Sequence, residues 1–149
     1  MNHAPQYIET MRKLAPLIRD VPKFCVWQFD MLCDWFAFYW NRGTLSFYLD
    51  TEGANQGVCA IKLFSRLEQF LEPFIHEPGG RFAMIELMSA RSSEAMGFIY
   101  DELVKRWGRR EVMIWDRGER TEGGAPRMYR WDSFEKLARR ITNGQWRGR

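Results

Sequence analysis

The run from Arg81 to Ala90 constrains this chain more than any other stretch. Its alternating residues form two sets, Phe82/Met84/Glu86/Met88 and Ala83/Ile85/Leu87, and both are apolar apart from Glu86. Successive side chains of a strand leave opposite faces, so a strand apolar on both belongs in the middle of a sheet that is covered on both sides. The rest of the sequence has to supply its neighbours and its covers.

Those covers are legible. Pro5 suits a first helical position, and Ile8, Met11, Ala15 and Ile18 follow at helical spacing, in a helix expected to stop before Pro22. Lys23 to Asn41 reads as an aromatic helix, with a strand from Phe24 as the alternative. Trp27, Met31, Trp35 and Phe38 share one stripe, Asp30 and Asp34 share another that reads as solvated, and Arg42-Gly43 breaks the segment. Thr44 to Leu49 and Gly57 to Phe64 read as an antiparallel hairpin. Ser65, with Glu68 three residues on, predicts a capped helix burying Leu67, Phe70, Leu71 and Phe74, which Pro73 kinks or ends.

After the central strand, Ser92 or Ser93 caps a helix carrying Met96, Ile99, Leu103 and Trp107, ended by Gly108. Val112 to Trp115 is a further strand. Glu119 to Pro126 is a turn into Arg127 to Trp131, and Asp132 or Ser133 caps a last helix that turns Leu137, Ala138 and Ile141 inward. Strand, crossover helix and strand imply a parallel pair, and the earlier hairpin implies antiparallel neighbours. The fold class expected is therefore α+β, a central mixed sheet with helices on both faces. A single domain spans residues 1–142, followed by a basic tail over 143–149.

Composition narrows the function classes. A chain of 149 residues with 46% apolar side chains can bury a core of its own, which argues against disorder. No stretch reaches the roughly 18 apolar residues of a membrane span. Phe24 to Trp40 comes nearest and is crossed by Gln28, Asp30 and Asp34. Glu9, Arg12 and Lys13 stand where a signal peptide needs an apolar run, so a cytoplasmic location is expected. Cys25, Cys33 and Cys59 form no C-x-x-C pair, and His3 and His76 are the only histidines, so neither a disulfide framework nor a metal site is expected. His76, just before Glu77-Pro78, reads as a surface-loop residue. From Lys105 to Arg149 there are 13 basic and 6 acidic residues, a balance that suits a phosphorylated ligand, an acidic partner, nucleic acid or simply a solvated surface.

Chemistry in an open sheet gathers where parallel strands end and helix N-termini begin. Here that place is Ser89-Ala90-Arg91-Ser92-Ser93, which can hold a pyrophosphate or serve as an ordinary capped loop. Met84-Ile85-Glu86-Leu87-Met88, the polar loop, Gly97 to Val104, and Trp107 to Val112 together resemble the coenzyme-A-binding strand–loop–helix–strand of the GNAT superfamily of N-acyltransferases. The resemblance covers Leu45 to Trp131, mainly as element order. The family's R-x-x-G-x-G/A loop is matched at Arg91 and Gly97, with Ser92-Ser93-Glu94-Ala95-Met96 between. In element order the chain is most similar to the toxin-activating lysine acyltransferase branch, although the segment matching that branch's histidine motif reads Ile18-Arg19-Asp20-Val21-Pro22.

The resemblance implies an acyl group moved from a thioester, acyl-CoA or acyl carrier protein, to an amine or protein acceptor. The donor is a co-substrate, with no tightly bound cofactor and no metal. Met88, Ser89, Ala90, Arg91, Ser92, Ser93, Met96 and Gly97 would hold it. Glu86, flanked by Met84 and Met88, is the candidate general base, because burial disfavours a carboxylate's charged form. Its alternative role is pairing with an arginine such as Arg117 or Arg130. Tyr129, like Tyr100, is a candidate acid toward the departing thiol or a packing residue.

The aromatic stripe Trp27, Trp35, Phe36, Tyr39 and Trp40 reads as core, as a homodimer or partner surface, or as an acyl-chain pocket. The runner-up function is a non-catalytic binding or assembly module, for instance in a phage-type particle. Nucleic-acid binding through Arg127, Arg130, Trp131, Arg139, Arg140, Trp146 and Arg147 ranks last, since no named motif accompanies it.

Overall fold

The computed structural model describes residues 3–50, 56–115 and 127–141. The expected turn at Glu119 to Pro126, the tail over 143–149, Arg117, and the side chain of Ile141 lie outside them. In chain order the elements are α1 (Pro5–Arg19), a 3-10 turn (Pro22–Phe24), α2 (Phe29–Arg42), β1 (Leu45–Leu49), β2 (Gln56–Phe64), a second 3-10 turn (Leu67–Leu71), β3 (Phe82–Ala90), α3 (Ser93–Trp107), β4 (Val112–Trp115), β5 (Arg127–Arg130) and α4 (Trp131–Ile141). The strands form one mixed sheet in the order β1-β2-β3-β4-β5. β1, β2 and β3 are antiparallel neighbours, β3 and β4 are parallel with α3 as the crossover, and β5 returns antiparallel.

β3 lies at the centre, as its two apolar faces require. Helices α1 and α2 cover one face, where Met11, Leu14, Ile18, Leu32, Phe36 and Tyr39 pack on Val58, Ala60 and Leu87. Helices α3 and α4 cover the other, where Ile99, Leu103, Phe134 and Leu137 pack on Ile61, Leu63, Ala83 and Ile85. Each such side chain contributes roughly 1.5–3 kcal/mol when fully buried. The buried stripe of α2 is Leu32, Cys33, Phe36 and Tyr39. The stripe expected from spacing sits one residue round the helix, with Met31 exposed and Trp27 ahead of the first turn. Gly43, at φ 71°, closes α2 in the left-handed region that glycine enters without steric cost.

The register of β3 carries one irregularity that matters. Ala60 pairs with Leu87 and Ile61 with Ile85, so Glu86 is an extra residue on β3, a β-bulge. The bulge resets the alternation. Leu87 joins the cluster under α1 and α2, whereas Met88 packs with the cluster under α3 and α4. The face Phe82/Met84/Glu86/Met88 read from strict alternation is thus cut at Glu86, and Met88 does not flank the carboxylate.

The segment after β2 also departs from expectation. Instead of a Ser65-capped helix there is a single 3-10 turn, opened by Gln69, whose side-chain oxygen accepts from the Ser65 and Arg66 amides at 3.3 and 2.8 Å. Gln69 is buried, while Leu67, Leu71 and Phe74 are exposed. Pro73 lacks the N–H that a further helical turn needs. At the other end, α4 begins at Trp131, just ahead of the two expected caps.

Candidate functional site

Three elements distant in sequence meet behind the bulge. The Tyr39 hydroxyl, from the buried face of α2, donates to Glu86 Oε2 in a short hydrogen bond. Lys62 Nζ, from β2, lies 3.2 Å from Glu86 Oε1. Lys62 and Glu86 are 2% and 5% exposed, so both charges have left bulk water. Desolvating each costs several kcal/mol, which only mutual pairing and further hydrogen bonds offset. Lys62 obtains those bonds from the Phe70 and Glu72 carbonyls, at 2.5 and 2.8 Å. An ammonium has three donors, and here all three are engaged. Burial, then the charge of Glu86 and its hydrogen bond, push the Tyr39 phenol well above its ordinary range, so Tyr39 holds its proton and orients the carboxylate.

The pair forms the floor of a cavity of about 160 Å³, walled by Trp35, Phe70, Leu71, Pro73 and Met84, with Lys23 also lining it. The volume is close to that of an apolar cavity that accepts benzene. Phe74 extends the aromatic wall outward, its ring 4.7 Å from Trp35 and 5.3 Å from Phe38. The Trp35 indole nitrogen is buried and has no hydrogen-bond partner among the described residues. The aromatic helix therefore divides its roles. Phe36 and Tyr39 are core, Trp27 and Trp40 pack against it, and Trp35 serves the cavity.

Glu86 was readable from sequence as the one polar residue of a covered strand. Nothing local in the sequence joins Lys62 or Tyr39 to it, although a lysine inside the apolar run Val58 to Phe64 is itself a signal of a buried pair. The expected alternative for Glu86, pairing with an arginine, becomes pairing with Lys62. Arg130 is exposed on β5. Tyr129 pairs with Met113 across the ladder and packs under α3 and α4, on the face opposite Glu86, so the two do not form an acid–base couple.

The expected donor segment is held together by local geometry. Ser92 caps α3, its hydroxyl accepting from the Ala95 amide at 3.1 Å, and the Arg91 amide donates to Gln56 O at 2.7 Å. Ser89, Ala90, Ser93 and Met96 are half-buried, and Gly97 is buried in α3. Met88 turns toward the α3 cluster. The Arg91 guanidinium is exposed and lies 3.8 Å from Asp20, with Glu94 in the first turn of the helix. Among the described residues β3 pairs with β4 only from Phe82 to Ile85, so Glu86 to Ala90 run on without a parallel neighbour.

His76 is half-buried instead of free on the surface, and bridges Leu63 with its ring edge-on to Trp107. Burial and the neighbouring charge of Arg42 hold its pKa below the ordinary histidine value. Asp30 and Asp34 are exposed as expected, and Asp34 accepts from His3 at 2.8 Å. Among the described residues no three His, Cys, Asp or Glu side chains cluster as metal ligands, and no helix is long and apolar enough to cross a membrane.

No protein-family model, no curated protein and no solved structure matches this chain.

Proposed function

We propose that this chain is an acyltransferase-like protein that moves an acyl group from a thioester donor, acyl-CoA or an acyl carrier protein, to an amine. The observation that carries the reading is Glu86, the bulge residue of β3, on the floor of a cavity at the end of the β3–β4 pairing. Support also comes from the element order, two helices, an antiparallel hairpin, a central strand, a crossover helix and a parallel strand, which resembles that of the GNAT superfamily.

In this mechanism the amine nitrogen bonds to the thioester carbonyl carbon as the C–S bond breaks. Glu86 receives the proton the nitrogen loses and returns it, through solvent, to the departing thiolate, which leaves as the thiol and restores the carboxylate. Tyr39 and Lys62 hold the carboxylate in place, and the junction from Met88 to Gly97, with Arg91 and the Ser92 and Ser93 hydroxyls, receives the donor's polar portion. The test is calorimetric titration with several acyl-CoA species and with acyl carrier protein, followed by turnover with an amine. Wild type and Glu86→Gln should bind the donor alike, and only wild type should transfer. No binding of any donor by wild type would end this reading.

One observation favours a second reading, a non-catalytic binding or assembly module. The Lys62 ammonium has no donor left for a substrate, as in a network that serves architecture alone, and Met31, Leu71 and Phe74 stand exposed. It requires a stable homo-oligomer or partner complex without turnover. Light scattering that finds only monomer would remove the homo-oligomer form of it.

A further inference from the structure

Residues 65–81 run from the end of β2 to the start of β3, and the two feet of this strap are pinned. The Glu77 amide donates to Leu63 O at 2.9 Å, and Gln69 Nε2 donates to Glu77 Oε1 at 2.8 Å. Ser65 Oγ donates to the other Glu77 oxygen. At Gly80 a Cβ would lie 2.2 Å from the Phe64 carbonyl oxygen, so only glycine lets the chain approach β2 this closely.

The middle of the strap is built differently. Leu71 is 78% exposed, Leu67 and Phe74 are exposed as well, and regular structure there amounts to one 3-10 turn. Phe74 sits at φ 57°, a left-handed conformation that is costly for a residue with a bulky side chain. Few apolar contacts and a strained residue are the marks of a segment that opens below the global unfolding free energy. Drawing the middle inward are the Phe74 ring on Trp35 and Phe38, the Phe70 side chain, and above all the Lys62 ammonium, which grips the Phe70 and Glu72 carbonyls.

We propose that residues 70–74 are a lid over the Glu86 cavity, latched by Lys62. The same ammonium bonds the lid's carbonyls and the floor's carboxylate, so lid closure and the pairing of Glu86 are one event. Opening frees Lys62 from two of its three acceptors and exposes the wall formed by Phe70, Leu71 and Pro73. The inference holds whichever of the two functional readings is right, because it concerns access to the cavity and not what happens inside it.

Amide hydrogen exchange, read residue by residue, tests it. In the wild-type chain the Glu72 amide, which donates to Gln69 O at 3.0 Å, should exchange with its lid neighbours through a local opening insensitive to low denaturant. The β2–β3 ladder amides should exchange only through global unfolding. In Lys62→Met the lid amides should exchange at least about tenfold faster, a change of about 1.4 kcal/mol in latch strength. Lys62→Met/Glu86→Leu removes the charge that the single variant strands, and should show the same lid acceleration with ladder exchange closer to wild type than in the single variant. Lid amides that keep their wild-type rates in the double variant would overturn the latch. So would lid amides that accelerate no more than the ladder amides in that double variant, or lid and ladder amides in the wild-type chain that share one denaturant dependence.

Discussion

Two regions at the centre of the molecule were both candidates for chemistry, and they are built on opposite plans. The junction from Ser89 to Gly97 is contiguous in sequence and half-exposed, and its stabilising contacts include a serine cap, a long surface ion pair and the Arg91 amide on Gln56 O. The Glu86 site is assembled from residues 39, 62 and 86, buried, and closed by charge-assisted hydrogen bonds. Placing charges in the interior costs far more than placing them at a loop, so the buried site is where the fold has spent stability. Contiguity made the junction conspicuous in the sequence. Energetic cost makes the cavity conspicuous in the structure.

Lys62 separates the two regions by the largest energy. Lys62→Met leaves Glu86 buried without its cation, and removing one partner of a buried pair costs about 3–5 kcal/mol. Chemical denaturation should show a loss of that size. Lys62→Met/Glu86→Leu should recover part of it, because an apolar pair carries no charge to desolvate, while the Tyr39 hydroxyl loses its acceptor. If the single variant is as stable as wild type, the two regions are not energetically different and the contrast fails.

A smaller effect belongs to the junction. Ser92→Ala removes the hydroxyl that satisfies the Ala95 amide and should cost about 1 kcal/mol by the same denaturation assay. The loss should be confined to α3, seen as faster amide exchange in its first turn with the Glu86 network unmoved. A loss approaching that of Lys62→Met would show that the junction supports more than one helix end.

What the sequence disclosed follows the same division. Periodicity and punctuation gave α1, the hairpin, β3, the Ser92 cap and the ends at Gly43 and Gly108, because each depends on residues close together along the chain. The bulge escaped, since an extra residue in a ladder leaves no mark on an apolar alternation whose two faces are equally greasy. Glu86 stood out, but its partners Tyr39 and Lys62 are joined to it only by the tertiary fold. The strap departs from the expected helix for a local reason. Ser65 and Glu68 have the spacing of a capping box, but the buried Gln69 side chain takes the role of acceptor, and the turn stops before Pro73.

The least costly way to sharpen the contrast is acid. The Ser65 hydroxyl and the Gln69 amide, followed by the charge of Arg66, hold the Glu77 carboxyl below the ordinary carboxylate range. A group with a lowered folded pKa contributes stability that is complete above its unfolded value, about 4.3 for glutamate, and is lost as pH falls through the folded one. Because Glu77 is solvent-facing the effect is the smallest of the set, and it should be local. Below about pH 4 the strap feet should loosen, and the Gln69 and Glu72 amides should exchange faster after correction for intrinsic rates, before the β2–β3 ladder changes. In Glu77→Gln this acid step should vanish while the rest of the pH profile stays, since an amide cannot titrate. If the step persists in that variant, the strap is anchored by some group other than Glu77, and the division between pinned feet and a latched middle would have to be redrawn around it.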